Sequence, residues 1–186
     1  TAPTRDYLST KQSCVHSMPV SDDNYRVRPL EEHQARDILS WEYPFPYDFY
    51  NPSVDAYHDH YVKQFLNPAL NFHAVIDARG TMIGFCSFGS DGQVLGGDYG
   101  DEALDIGVGM RPASTGQGQG AAFFGAILGF ALDSLSPEFL RLTVAKFNQR
   151  ALKLYENFDF EIKSEFFEHS TDVPYLILVR AAARPI

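Results

Sequence analysis

Apolar and polar positions alternate over 25–30, which predicts a strand, and in the following 31–41 Ala35, Ile38 and Leu39 fall on one helix face. The aromatic, proline-rich stretch 43–53 cannot be regular helix, whereas 54–66 predicts a second helix that stops before Asn67-Pro68. Two apolar runs, 71–78 and 81–89, flank Arg79-Gly80 in the pattern of a hairpin. A loop rich in glycine and aspartate over 90–102 leads into a strand at 103–110, and a long apolar helix over 121–135 starts after a glycine cluster. A buried strand at 139–147, a short helix at 148–158 and strands at 160–168 and 174–181 complete the pattern. The expected order is β-α-α-β-β-β-α-β-α-β-β, an α/β domain over 25–186 behind an N-terminal arm, 1–24, that has no sustained period. No internal repeat or low-complexity tract interrupts it.

A chain of 186 residues is one domain's worth, and 45% hydrophobic residues suffice to bury a core without metals or disulfides. Lysines and arginines number 15 against 24 acids, a formal charge of -9, so the field that draws phosphate backbones or anionic membranes is absent. Neither nucleic acid nor a membrane is expected as a partner; the same field favours a cationic molecule or basic peptide. Cys14 and Cys86 lack the spacing of a zinc site, and Cys86 reads as an inert core thiol. No apolar run approaches the roughly 18 residues of a spanning helix, so the expected location is cytoplasmic. His58-Asp59-His60 is not a metal pair, because residues i and i+2 of a helix point in different directions; no metal is expected.

Chemistry concentrates in the segment 110–128, where a strand ends and Gly116, Gly118 and Gly120 lead into an apolar helix. A helix N-terminus carries about four unpaired N–H groups and roughly half a positive charge, and missing side chains let an anion reach that backbone. The alternative is a flexible turn, but glycine in the first helical turn costs about 0.5–1 kcal/mol relative to alanine. The pattern is no nucleotide P-loop, since it lacks Gly-Lys. Gly116, Gly118 and Ala121 fit a dinucleotide fingerprint nominally, yet Pro112-Ala113-Ser114-Thr115 separates them from the strand and the next strand ends without an acid.

These residues resemble the GNAT superfamily of acetyl-CoA-dependent N-acetyltransferases. The family pattern is a strand, V-x-P-x-x-R-G-x-G-x-G/A opening a helix, a strand, and N-x-x-A-x-x-L/F-Y-x-x-x-G-F. This chain offers Met110-Arg111-Pro112-Ala113-Ser114-Thr115-Gly116-Gln117-Gly118-Gln119-Gly120 and then Asn148, Ala151, Leu154, Tyr155, Asp159 and Phe160. Thr115 replaces the usual arginine or glutamine, and Asp159 stands where the family has glycine at a helix C-terminus. The resemblance covers 25 to about 181. It implies a mixed, mostly antiparallel sheet of six to seven strands flanked by helices, with the fourth and fifth strands parallel and splayed into a V.

It further implies that the backbones of Val108, Gly109 and Met110 hold the pantetheine arm of acetyl-CoA. The amides of Gly116, Gln117, Gly118, Gln119, Gly120 and Ala121 would receive its pyrophosphate. Asn148 would touch the cofactor, although an N-cap role alone accounts for it. Tyr155, two helical turns and about 10 Å further on, would protonate the departing thiolate, its alternative being a core tyrosine with a satisfied hydroxyl. The acceptor would be the primary amine of a small molecule or of a peptide or protein N-terminus.

Attack on a thioester needs a neutral amine, whereas amines are mostly protonated near pH 7. The glutamate that some family members place five residues before the asparagine is Thr143 here. Asp105 is the favoured base, with Glu102, His73 and a water chain as alternatives. Trp41, Tyr43, Phe45, Tyr47, Phe49 and Tyr50 can wall the acceptor side, with Glu42 and Asp48 placed to pair with a cation, or else the loop packs its rings on the body. A non-catalytic CoA-binding domain is the competing reading. The oligomeric state is open, with a homodimer allowed.

Overall fold

The computed structural model describes residues 24–52 and 58–182. The expected arm, Asn24 apart, and Cys14 lie outside the described residues. The elements follow the expected order: β1 (Tyr25–Pro29), α1 (Glu32–Ile38), α2 (His58–Phe65), β2 (His73–Asp77), β3 (Met82–Phe88), β4 (Leu104–Met110), α3 (Gly120–Leu135), β5 (Phe139–Ala145), α4 (Gln149–Glu156), β6 (Glu161–Phe167) and β7 (Pro174–Ala181).

The β2–β3 hairpin closes at Gly80, whose φ of +85° only glycine adopts easily. Asp77 clamps this turn by accepting hydrogen bonds from the amides of Arg79 (2.9 Å) and Thr81 (2.8 Å). The seven strands form one sheet in the order β1-β2-β3-β4-β5-β7-β6. Every neighbouring pair is antiparallel except β4 with β5. The 16-residue helix α3 carries the chain from the end of β4 back to the start of β5, a crossover that makes that pair parallel.

Alternation along the strands divides the core between two faces. On one, Phe123, Phe124, Ile127 and Leu128 of α3 and Tyr155 and Phe158 of α4 pack on Val75, Ile106, Leu140 and Leu178. On the other, Ala35 and Ile38 of α1 and Val62 of α2 cover Ala74 and Met82. The decisive feature lies mid-sheet. β4 and β5 pair only at Leu104 with Leu140 and Asp105 with Arg141, while β5 and β7 stay paired from Phe139 with Ala181 to Ala145 with Tyr175. Beyond Asp105 the two strands part, and the backbone of β4 from Ile106 to Met110 keeps its β3 partner on one edge and opens the other.

Candidate active site

The glycine cluster folds as a nest of main-chain amides. Gly116 and Gly118 have φ of +74° and +75°, with Gln119 returning to φ -86° as the helix begins. Such alternation turns neighbouring N–H groups into one concavity. Among the described residues no side chain caps α3, and its first intrahelical donor is Phe123, bonded to the Gln119 carbonyl at 3.0 Å. The amides before it face outward, where the helix dipole adds positive potential. A Cβ on Gly118 would meet nothing within 4 Å, so glycine there is required by conformation and by access rather than by packing. Thr115 supports the turn with its own hydroxyl, which donates to the Pro112 carbonyl at 2.8 Å.

From the nest a cleft of about 830 Å³ runs between the splayed strands. Its walls include Val108, Gly109 and Met110 of β4, Thr143 and Val144 of β5, and Asn148, Leu154 and Tyr155 at α4. At the far side stand Trp41, Tyr43, Tyr47 and Tyr50. Tyr43 ties this wall to β4 through a 2.8 Å hydrogen bond from its hydroxyl to the Met110 carbonyl. Arg150 stacks on Tyr47, 4.4 Å from the ring centroid. The aromatic expectation holds only in part. Phe45 is 86% exposed, Phe49 packs against Tyr50 and Phe147, and neither lines the cleft. Glu42 and Asp48 are exposed and likewise absent from its walls, because the loop turns their side chains outward.

Asn148 caps α4 by accepting from the Ala151 amide at 3.2 Å. Its Nδ2 donates to the Tyr50 hydroxyl at 3.3 Å. Tyr155 packs at a tilt against Phe124 and Phe160 and is 7% exposed, yet its hydroxyl has no hydrogen-bond partner among the described residues. Burial, with nearby Tyr50 adding to it, pushes its pKa up, so the phenol keeps its proton at neutral pH. A satisfied core tyrosine is not what the fold contains.

Asp105 is a correction. It is 4% exposed, faces away from the cleft walls, and is gripped by Arg141 through Nε–Oδ1 (2.6 Å) and Nη2–Oδ2 (2.8 Å), with Gln93 donating to Oδ2 at 2.7 Å. A carboxylate whose lone pairs are so committed does not collect protons from an amine. Glu102 is exposed away from the cleft, and His73 is buried against Phe88 and Phe130 with Nδ1 beside the Asn71 carbonyl. In the His58-Asp59-His60 run, Asp59 pairs with Arg36 and the His60 ring lies against Tyr61.

The carboxylate that does line the cleft carries no recognisable motif. Asp91 sits in the short 3-10 turn Ser90–Gly92 after β3, a segment whose only sequence mark is its glycine and aspartate content. Ser87, fully buried, donates to its Oδ2 at 2.8 Å.

The acetyltransferase (GNAT) family model matches residues 33–160. The chain belongs to the GNAT acetyltransferase family. A search of curated proteins finds no match. Among solved structures, a spermidine N-acetyltransferase from Vibrio cholerae in complex with CoA and spermine is similar at TM-score 0.61 and 20% identity, over 87% of this chain and 97% of that one. The dodecameric form of that spermidine N-acetyltransferase in an intermediate state gives 0.61 at 19%, over 87% and 95%. A chimera of the Vibrio cholerae enzyme and hSSAT gives 0.63 at 18%, over 86% and 96%. These likenesses are of fold. The GNAT features resolved here are the parallel strand pair that splays, the nest at the head of α3, and a left-handed residue after α4, where Asp159 takes φ +63° in place of the family's glycine.

Proposed function

We propose that this GNAT protein transfers the acetyl group of acetyl-CoA to a primary amine of a small molecule or of a peptide or protein N-terminus, by direct attack in a ternary complex. One observation carries the reading: a single continuous cleft is lined by the glycine nest, by the open edge of β4, by Tyr155 and by an aromatic wall. The fit to CoA is physical. Gly116 and Gly118 leave room at the nest, where outward amides suit a diphosphate without a charged side chain, which reconciles an acidic protein with an anionic co-substrate. The edge of β4 around Val108, Gly109 and Met110, which no strand pairs and where the Tyr43 hydroxyl holds the Met110 carbonyl, suits an amide-bearing arm laid down like another strand.

In this reading the residues divide the work. Amides of Gly116 through Ala121 hold the diphosphate, with Arg150 and Lys153 nearby on the cleft wall. A β4 amide polarises the thioester carbonyl. Tyr155, protonated and without a hydrogen-bond partner among the described residues, stands ready to donate to the departing sulfur. The aromatic wall receives the acceptor, and since solved structures of the same fold belong to enzymes named for spermidine, polyamines head the amines to be tried. The test is thiol release on a panel of polyamines, amino acids, aminoglycosides and peptide N-termini, beside a thermal-shift titration with acetyl-CoA. Stabilisation together with amine-dependent thiol supports the transferase; stabilisation without thiol from any amine marks a CoA-binding domain.

A further inference from the structure

The cleft is electrically polarised. Its cationic wall residues, Arg150 and Lys153, belong to α4 beside the nest, and Arg150 Nη1 lies 3.9 Å from where a Cβ on Gly116 would stand. Among the described residues that line it, Asp91 is the one carboxylate. Asp91 belongs to a different region of the cleft, where the strands begin to separate: a Cβ on Gly107 would collide with the Ser87 hydroxyl and come within 3.3 Å of Asp91 Oδ2, and one on Gly92 would lie 3.0 Å from the Gly107 amide. The turn carrying Asp91 therefore rests directly on the β4 backbone at Ile106 and Gly107, just past the last β4–β5 pair, and the bare Gly107 makes room for the Ser87–Asp91 hydrogen bond.

We infer that Asp91 is the group that meets the cationic acceptor nitrogen in this cleft and takes its proton, with Ser87 as the residue that positions it. This rests on the acetyl-transfer reading. An arm held at the nest and laid along β4 from Met110 toward Gly107 brings its reactive end to the Asp91 side, and a carboxylate there attracts an ammonium and accepts a proton from it. The resulting amine uses its lone pair to form the C–N bond as the C–S bond breaks. The nitrogen's second proton balances the one delivered to sulfur by way of Tyr155, and the proton taken by Asp91 passes to solvent, one per turnover. Asp91 is exposed, yet the protein beside it desolvates the carboxylate and raises its pKa, while the Ser87 hydrogen bond opposes the rise. Of the elements packed on its turn, β3 contributes Cys86 and β4 contributes Asp105, which Arg141 neutralises; Tyr99, in the segment that follows, is bonded to Thr143.

The experiment compares the wild type with Asp91→Asn and Ser87→Ala, using the best amine of the panel across pH, with CoA affinity and melting temperature measured in each. Asp91→Asn is expected to lower kcat by roughly 10²–10⁴, with CoA affinity intact and the acid limb of the pH profile abolished. Ser87→Ala removes the bond that holds the carboxylate charged and in place, so its acid limb moves to higher pH. A folded, CoA-binding Asp91→Asn variant with wild-type rates and profile overturns the inference alone. If that variant does not fold, an acid limb unmoved in Ser87→Ala overturns it. A wild type that releases no thiol with any amine overturns the transfer reading as well.

Discussion

Asp105 on β4 and Arg141 on β5 face each other in register at the last point where the two strands pair, each 4% exposed. Their doubled hydrogen bond pins the apex of the V, and Arg141 also donates to the Asp101 carbonyl at 3.0 Å and lies over the Tyr99 ring. A buried pair broken on one side leaves an uncompensated charge. Arg141→Ala is therefore expected to destabilise by about 3–5 kcal/mol, read from denaturant midpoints. A loss no larger than that of an exposed ion pair, under about 1 kcal/mol, would show that the apex is held by something else.

Tyr155→Phe isolates one hydroxyl in a packed aromatic cluster, so the fold and CoA affinity should be unchanged. If that hydroxyl supplies the sulfur's proton, kcat falls by roughly 10²–10⁴. Steady-state kinetics together with calorimetry of CoA binding separate the two effects, and near-normal turnover removes Tyr155 from the mechanism.

Gly118→Val tests the nest from both sides. A branched side chain at φ +75° costs roughly 1–2 kcal/mol in backbone strain, and it reorients amides whose hydrogen bonds to a charged group are worth about 1.5–3 kcal/mol each. CoA affinity should drop about tenfold or more, since 1.4 kcal/mol is a factor of ten. A folded variant with unaltered affinity would separate these glycines from phosphate binding.

Glu168 provides a pH-dependent control. Its carboxylate accepts from the Thr171 hydroxyl (2.7 Å) and the Ser170 hydroxyl (2.8 Å), which hold its pKa down at about 2 from an ordinary 4.5. A depressed pKa contributes stability that is present above the unfolded value and lost as pH falls through the folded one. The stability difference between wild type and Glu168→Gln should therefore be full above about pH 5 and shrink toward pH 2, as followed by thermal melts at stepped pH. A difference that stays constant over that range rejects the assignment.

Period and punctuation made the element order legible, because each strand must bury one or both faces and each glycine or proline turn leaves its mark. The Gly116–Gly120 segment was equally readable, since its requirement is on backbone conformation, which residue type encodes locally. Side-chain direction in loops was not. In sequence Glu42 and Asp48 are equivalent to any other acid beside aromatic rings, yet the loop turns them outward, and Asp91 reaches the cleft only because Ser87 and the bare Gly107 leave it a place. Asp105 misled for a related reason: its strand was legible, but its partner Arg141, 36 positions away in sequence, was not.

The V also divides the sheet mechanically. Four strands on one side and three on the other are joined at the apex by two residue pairs and one ion pair, so the two halves behave like boards hinged along a short seam. An arm laid against β4 would act as a wedge that fixes their spread, and grip on the coenzyme would thereby set the aperture offered to the amine. Affinity for one substrate and selectivity for the other would then share a single geometric variable, the opening angle of a slit.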